Sequence, residues 1–170
     1  MEFSGIKVAA TVNEIRASSG FLSASESSPW MQWIQALLRP PLKREKTSLM
    51  FVYAWRDENH FNYAHLSVDA PAKQPVHNGI FHVYGGDRVR ISSETGPGAL
   101  PNEDWTPVKL TWSAKTGEVQ VEVNGKRFEN LHAVDLSLGA GRVGLGSFFE
   151  TAQFRKVRIH GTAAAEGFAR

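Results

Sequence analysis

LMFVYAWRDENHFNYAHLSV, residues 49–68, is the stretch of sequence that decides the fold of this chain. It predicts a β-hairpin, because two runs rich in β-branched and aromatic residues, Leu49–Trp55 and Phe61–Val68, flank a short polar segment. Side chains alternate between the two faces of a strand. If the small and aliphatic residues of the second run face the core, Tyr63 and His65 stand together on its outer face.

The rest of the chain repeats this pattern of short strands between turns. The most regular example follows Trp105, where apolar and polar residues alternate over Val108–Trp112 and again over Val119–Val123. Asn124-Gly125 then supplies a hairpin turn in which both central residues take positive φ. Further strands are expected over 80–84, 88–92, 142–148 and 153–160. Strands at this spacing predict an all-β, antiparallel sandwich or barrel.

One segment can be interpreted in two ways. Apolar residues from Trp30 to Leu38 recur at helical spacing, and Pro29 suits the first position of a helix. The many surrounding strands, and the family resemblance given below, favour a strand over Gln32–Arg39 instead. Pro40-Pro41 ends the element in either case.

Length and composition favour one globular domain over residues 1–170. Within it, residues 1–31 are expected to form weakly patterned strands and a loop, and residues 162–170 are expected to form a frayed tail. The chain is 42% hydrophobic and 21% charged, which argues against disorder. A formal charge of +2 is too small to indicate a nucleic-acid partner. No apolar run approaches the roughly 20 residues of a membrane helix, and the first residues lack a signal-peptide pattern.

Four motifs carry a resemblance to a known family. They are FVYAWRDENHFNYAHL (51–66), VHNGIFHVYGGDRVRI (76–91), WTPVKLTWSAKTGEVQVEVNG (105–125) and GRVGLGSFFETAQFRKVRIHG (141–161). Through them, residues 32–161 resemble the bacterial concanavalin A-like lectin/glucanase superfamily, specifically its laminin-G-like and sugar-hydrolase jelly-roll domains. The resemblance implies an antiparallel two-sheet β-sandwich, a concanavalin A-like jelly roll, with a concave outer sheet face for glycans. It also implies a secreted or periplasmic location and a structural Ca²⁺ ion, to which no residues are assigned.

The candidate site residues are aromatic, histidine, asparagine and arginine side chains of the hairpin and the strands that follow it. Aromatic rings stack on the apolar faces of sugars, and guanidinium groups bind carboxylates through paired hydrogen bonds. Phe51, Tyr53 and Trp55 alternate onto one strand face, and Trp55, beside the polar turn, is the one expected to be exposed. The predicted ligand-binding residues are Trp55, His60, Tyr63, His65, His77, Asn78, Arg88 and Arg90. The structural alternative for each is a buried ring, a hydrogen-bonded histidine or a solvated charge.

Two other motifs suggest different chemistry. Residues 139–144 match G-x-G-x-x-G, but they precede a predicted strand rather than a helix, so these glycines are expected to serve turns and close sheet packing. The six histidines lack the spacing of a zinc site. No cofactor and no metal ligand is therefore assigned from the sequence.

Three functions fit these residues. The first is a non-catalytic domain that binds an oligo- or polysaccharide. The second is a glycoside hydrolase or polysaccharide lyase in which Tyr63 and His65 act as acid and base while Arg88 neutralises a uronate. Against it, the Glu-x-Asp-x-x-Glu string of the superfamily's laminarinase-type enzymes and the Gln-x-His string of its alginate lyases are absent. The third is an interaction surface for another protein.

Overall fold

The computed structural model describes residues 15–18, 22–24, 31–39, 49–68, 77–94, 96–101, 104–147 and 151–161. All regular structure in these ranges is β-strand. The strands are β1 (Ile15–Ser18), β2 (Leu22–Ala24), β3 (Met31–Arg39), β4 (Leu49–Asp57), β5 (His60–Leu66), β6 (Gly79–Tyr84), β7 (Val89–Arg90), β8 (Thr106–Ser113), β9 (Glu118–Val123), β10 (Lys126–Val134), β11 (Arg142–Ser147) and β12 (Thr151–His160). The predicted tail, 162–170, and most of 1–31 lie outside the described residues.

The strands form two antiparallel sheets of six. The first has the order β1-β12-β3-β8-β9-β10, and the second has the order β2-β11-β4-β5-β6-β7. The segment that could be read as helix or strand is β3, which pairs with β8 and β12 in the first sheet. The all-β, two-sheet sandwich and the strand over Gln32–Arg39 are thus confirmed.

The core lies between the sheets and is filled by the alternating residues of the hairpins. Along β8 and β9, every second residue is buried, as a half-buried strand requires. Trp112 packs against Tyr53 of the second sheet, with 5.4 Å between the ring centroids. In the turn between β9 and β10, Asn124 and Gly125 have φ of 53° and 73°, which confirms the predicted positive-φ turn.

A bulge in β4 changes the direction of one aromatic side chain. Phe51 and Tyr53 are fully buried in the core, whereas Trp55 packs on the outer side of the same sheet. The pairing register with β5 shifts between Tyr53 and Asp57, and Ala54 has a φ of 52°. An extra residue in one strand reverses the alternation beyond it. The prediction that Phe51, Tyr53 and Trp55 share one face is therefore wrong for Trp55.

Candidate functional site

A second hydrophobic cluster lies on the outer face of the second sheet, separate from the core. Val52, Tyr63 and Phe81 are cross-strand neighbours on β4, β5 and β6, on the side opposite the core residues Ala64 and Ile80. The buried centre is formed by Met50, Val52, Tyr63 and Phe81, and Trp55, Phe61 and Val83 are half-buried around it. We call these seven residues the outer-face cluster.

Tyr63 and His65 lie on this outer face, as the strand alternation predicts, but they are buried. Their exposed fractions are 1% and 2%. The ring of Tyr63 stacks on Phe81 at 5.1 Å, and the ring of His65 meets His77 edge-on at 4.6 Å. His65 is thus a buried strand histidine and is not exposed on the outer face. Both residues therefore lie beneath the more exposed residues around them.

Exposed arginines cover the aromatic rings of the cluster. Arg88 donates to the hydroxyl of Tyr63 across 3.4 Å, and its guanidinium lies 5.8 Å from the centre of the Phe81 ring. The guanidinium of Arg142 lies 5.2 Å from the centre of the Trp55 ring. Both arginines are exposed. A guanidinium held over an aromatic ring keeps its orientation.

Arg90 is held mainly by the protein itself. It donates to the backbone carbonyls of His77 and of Ser93, the latter across 2.8 Å, and it lies 5.0 Å from the centre of the Phe81 ring. A Cβ atom at Gly79 would lie 2.1 Å from the guanidinium of Arg90, so only glycine leaves room for it there. Burial lowers the pKa of Arg90, although the charge of Glu94 opposes this shift. Arg90 thus fixes the loop that carries His77.

Asn78 is fully buried beneath the site. Its side-chain oxygen accepts hydrogen bonds from the backbone amides of Ser67, at 2.8 Å, and Ala99, at 2.9 Å. Its backbone carbonyl accepts another from the side-chain amide of Asn130 at 2.8 Å. These contacts join three segments of chain, so the structure gives Asn78 a role in holding loops together.

The environment of Tyr63 keeps its phenol protonated near neutral pH. Burial raises the pKa of Tyr63, and the hydrogen bond and positive charge of Arg88 only partly offset this effect. A neutral phenol with an arginine at its oxygen can donate a proton or a hydrogen bond. It is poorly suited to act as a base.

His60 lies on the opposite side of β5 from Tyr63 and is not part of the outer-face cluster. Its Nδ1 atom lies 2.8 Å from an oxygen of Asp57, and its ring contacts Tyr84 with 4.9 Å between centroids. The hydrogen bond from His60, followed by that from the Asn59 amide, lowers the pKa of the Asp57 carboxyl. His60 and Asp57 therefore belong to a different surface.

A polar network on that same side of the sheet was not foreseen from the sequence. His82 Nδ1 lies 2.9 Å from Asp135 Oδ2, and the side-chain amide of Asn62 donates to the same oxygen across 2.8 Å. Burial acts to raise the pKa of the Asp135 carboxyl, but hydrogen bonds from Ser137 and Asn62 and the charge of His82 outweigh it and lower the pKa. The loop after β10 is thereby tied to β5 and β6.

Because the pKa of Asp135 is lowered in the folded protein, its carboxylate should stabilise the fold above the unfolded-state pKa near 3.8, and this stabilisation should be lost as the pH falls through the folded-state value. We expect Asp135→Asn to be less stable than wild type at about pH 7 and the difference to shrink at about pH 3. Urea unfolding at both pH values measures this. Glu118→Gln, at an exposed pair with His132, is the control and should change little. An Asp135→Asn deficit of the same size at both pH values would contradict the assignment.

The part of the chain that the structure describes shows neither a cluster of metal ligands nor a membrane-spanning helix. No group of three or more His, Cys, Asp or Glu side chains in these ranges could hold a metal ion. No segment within these ranges forms a helix long and apolar enough to span a membrane. The calcium ion implied by the resemblance stays a prediction.

The structure brings most of the predicted ligand-binding residues together. Six of them lie in or beside the outer-face cluster: Trp55, Tyr63, His65, His77, Arg88 and Arg90. His60 lies on the other side of the sheet, and Asn78 lies beneath the loops. Phe81 and Arg142 were missed. Phe81 carried a usable signal, since it lies in the expected strand 80–84, and in the structure it pairs directly with Tyr63. Arg142 carried none, because its position over Trp55 depends on the β4 bulge.

Comparisons with known proteins identify the class of fold. No protein-family model matches the sequence, and no curated protein is similar to it. Solved structures do match, and the chain has the concanavalin A-like, galectin-like jelly-roll fold that they share.

Three of these solved structures illustrate the likeness. Carbohydrate-binding module CBM66 from Bacillus subtilis is 16% identical with a TM-score of 0.64, over 94% of this chain and 100% of that one. Galectin LEC-6 from Caenorhabditis elegans is 13% identical with a TM-score of 0.53, over 92% and 99%. Alginate lyase AlyC3 is 11% identical with a TM-score of 0.52, over 86% and 74%.

Proposed function

We propose that this protein binds carbohydrate on the outer face of its second sheet. The observation that carries the proposal is the outer-face cluster, in which aromatic rings lie side by side beneath exposed arginines. Stacked rings offer apolar surface to the C–H groups of a sugar, and charged donors at their edges bind its oxygens. The same fold in a carbohydrate-binding module and a galectin supports this function.

The half-buried and exposed residues around the cluster are the proposed contacts. Trp55 and Phe61 supply apolar surface, and Arg88, Arg142 and His77 supply polar groups. Tyr63 and His65 support them from below and hold Arg88 and His77 in place. This arrangement revises the sequence-based hypothesis, which put Tyr63 and His65 in direct contact with the ligand.

The exposed charge at this site favours a glycan that carries carboxylates. Arg88 and Arg142 both present guanidinium groups whose aromatic backing limits their motion. Guanidinium binds carboxylate through two parallel hydrogen bonds, and an arginine already held in place loses less entropy when it does so. We therefore propose uronate-containing polysaccharides as the preferred ligands.

Arg88→Ala is expected to weaken binding of a uronate oligosaccharide about tenfold or more, since a hydrogen bond between two charged groups is lost. Isothermal titration calorimetry with oligogalacturonate or oligoguluronate measures the change. Arg127→Ala is the matched control, because Arg127 is an exposed arginine of the first sheet that pairs with Glu122. Equal loss in both variants would indicate an unspecific effect of charge and contradict the proposed site.

A polysaccharide lyase or glycoside hydrolase is the second candidate. The contact between Arg88 and the hydroxyl of a neutral Tyr63 favours it, because that pair could place a proton donor beside a uronate carboxylate. Incubation with polygalacturonate, alginate and a neutral glucan separates the candidates. New reducing ends, or the ultraviolet absorbance of unsaturated products, would require an enzyme; binding without either product supports the first function.

A further inference from the structure

The inner side of the second sheet becomes exposed at one end of β5 and β6. Near the middle of the sandwich this side carries the fully buried core residues Ala64 and Ile80. Further along, Asn62 is still buried, but its cross-strand partner His82 is only partly covered, and the next pair is His60 and Tyr84. Tyr84 is 59% exposed. The sheet thus extends past its core and presents this side to solvent.

Three rings form a continuous surface at this end, which we call the ledge: His60, His82 and Tyr84. The ring of Tyr84 stacks on His82 with 5.5 Å between centroids and an angle of 13°. His60 meets Tyr84 at 4.9 Å and nearly at a right angle. More than half of Tyr84 stays exposed despite both contacts. A large exposed aromatic side chain held from two sides is ordered before any ligand arrives.

Each histidine of the ledge is oriented by a carboxylate behind it. His60 Nδ1 lies 2.8 Å and 3.0 Å from the two oxygens of Asp57. His82 Nδ1 lies 2.9 Å from both Asp135 Oδ2 and Asn62 Oδ1. Since these carboxylate and amide oxygens accept hydrogen bonds, each Nδ1 carries a proton, and the Nε2 atom is the ring nitrogen left to a ligand.

Neither Nε2 atom is engaged by a hydrogen bond within the described ranges, where the hydrogen bonds of His60 and His82 all use Nδ1. The carboxylates that set the proton positions are also fixed, Asp57 by the Asn59 amide and Asp135 by the Ser137 amide. Two imidazoles and one phenol ring are thereby held in a defined arrangement.

We infer that the ledge is a second saccharide-binding subsite, specific for an uncharged sugar unit. A pyranose presents an apolar face of C–H groups and hydroxyls around its edge. The face matches the ring of Tyr84, and a hydroxyl, which both donates and accepts, matches each Nε2 atom. Asp57 and Asp135 place negative charge directly behind the imidazoles, and Glu58 adds an exposed carboxylate in the adjoining turn. These charges disfavour a uronate, in contrast to the arginines of the outer-face cluster.

The loop that carries Asp135 runs beside the ledge, because Asp135 contacts His82. Val134 and Leu136, which flank Asp135 in the chain, are 60% and 61% exposed. The ligand class rests on the proposed carbohydrate-binding function, whereas the position of the subsite does not.

Amide chemical shifts of the ¹⁵N-labelled protein, followed during titration with cellotetraose, xylotetraose and a tetragalacturonate, test this inference. We expect a neutral tetrasaccharide to shift amides at 58–60, 84–86 and 135–137, and tetragalacturonate to leave them unchanged. Tyr84→Ala should weaken binding of the neutral tetrasaccharide about tenfold or more, whereas Tyr84→Phe keeps the aromatic ring and should keep most of the affinity. Val89→Ala, another exposed apolar residue, should change nothing.

The outcomes separate this inference from the proposed function. If every ligand shifted amides at the outer-face cluster alone, the inference of a subsite at the ledge would be overturned and the proposed function would stand. Shifts at the ledge alone would support the ledge and contradict the outer-face site. The absence of shifts with all three saccharides would overturn both. Amide shifts at the ledge that persist undiminished in Tyr84→Ala would contradict stacking of the sugar on the ring of Tyr84.

Discussion

Asn78→Ala is expected to lower the free energy of unfolding by about 4 kcal/mol, because two buried backbone amides lose their shared acceptor. The side-chain oxygen of Asn78 accepts from Ser67 and Ala99 at 2.8 and 2.9 Å, and the residue is fully buried. Asn78 also has a φ of 51°, a conformation that asparagine tolerates better than alanine. Urea unfolding followed by fluorescence or circular dichroism measures the loss.

Asn124→Ala is the matched control for this substitution. Asn124 has nearly the same φ, 53°, but it is exposed in the turn between β9 and β10. Replacing it with alanine should lower the free energy of unfolding by about 1 kcal/mol, the cost of holding alanine at a positive φ. Equal losses in the two variants would show that the buried hydrogen bonds of Asn78 contribute nothing, which contradicts the role assigned to it.

Gly141→Ala is expected to destabilise the fold by about 3 kcal/mol or more, because the added methyl group meets backbone rather than a flexible side chain. A Cβ atom at Gly141 would lie 2.5 Å from the carbonyl carbon of Ala54 and 2.8 Å from its Cα. Ala54 is the positive-φ residue of the β4 bulge. The clash should therefore also displace Trp55 and weaken binding at the outer-face cluster. Thermal unfolding measures the stability, and calorimetric titration measures the binding.

Gly86→Ala is the control for the effect of adding a methyl group. No atom lies within 4 Å of a Cβ built at Gly86, in the turn between β6 and β7. This variant should unfold within about 0.5 kcal/mol of wild type. If Gly141→Ala were equally harmless, the close packing of the segment before β11 against the β4 bulge would be wrong.

Regular alternation made the two-sheet fold predictable from the sequence. Burial alternates with period two along β8 and β9, whose pattern and turn chemistry located them. The hairpin over residues 49–68 is buried on both faces, and its β-branched and aromatic composition around a polar turn located it instead. The segment Gln32–Arg39 shows the limit of local pattern. Its helical spacing is overridden by pairing with β8 and β12 on both sides.

The details of the site could be predicted only in part. Alternation correctly separates Tyr63 and His65 from the core, but burial of both depends on neighbours such as Phe81. The direction of Trp55 depends on a bulge that no local signal announces. Asp135 reaches His82 across 53 positions in the chain, and a contact of that separation leaves no trace in sequence spacing.

The two sides of the second sheet have opposite electrostatic character. On the outer face, Arg88 and Arg142 lie over aromatic rings, whereas Asp57 and Asp135 lie behind the imidazoles of the ledge. A glycan that alternates acidic and neutral units could engage both surfaces of one molecule or join two molecules. The primary proposal concerns the outer face alone and is tested without the ledge.

A glycan array that compares wild type with the Trp55→Ala, Arg88→Ala double variant tests the central claim most directly. The account predicts that wild type binds uronate-containing glycans and that the double variant loses most of this signal while its thermal unfolding stays close to wild type. An array on which the folded double variant binds the same glycans as strongly as wild type would contradict carbohydrate binding at the outer-face cluster.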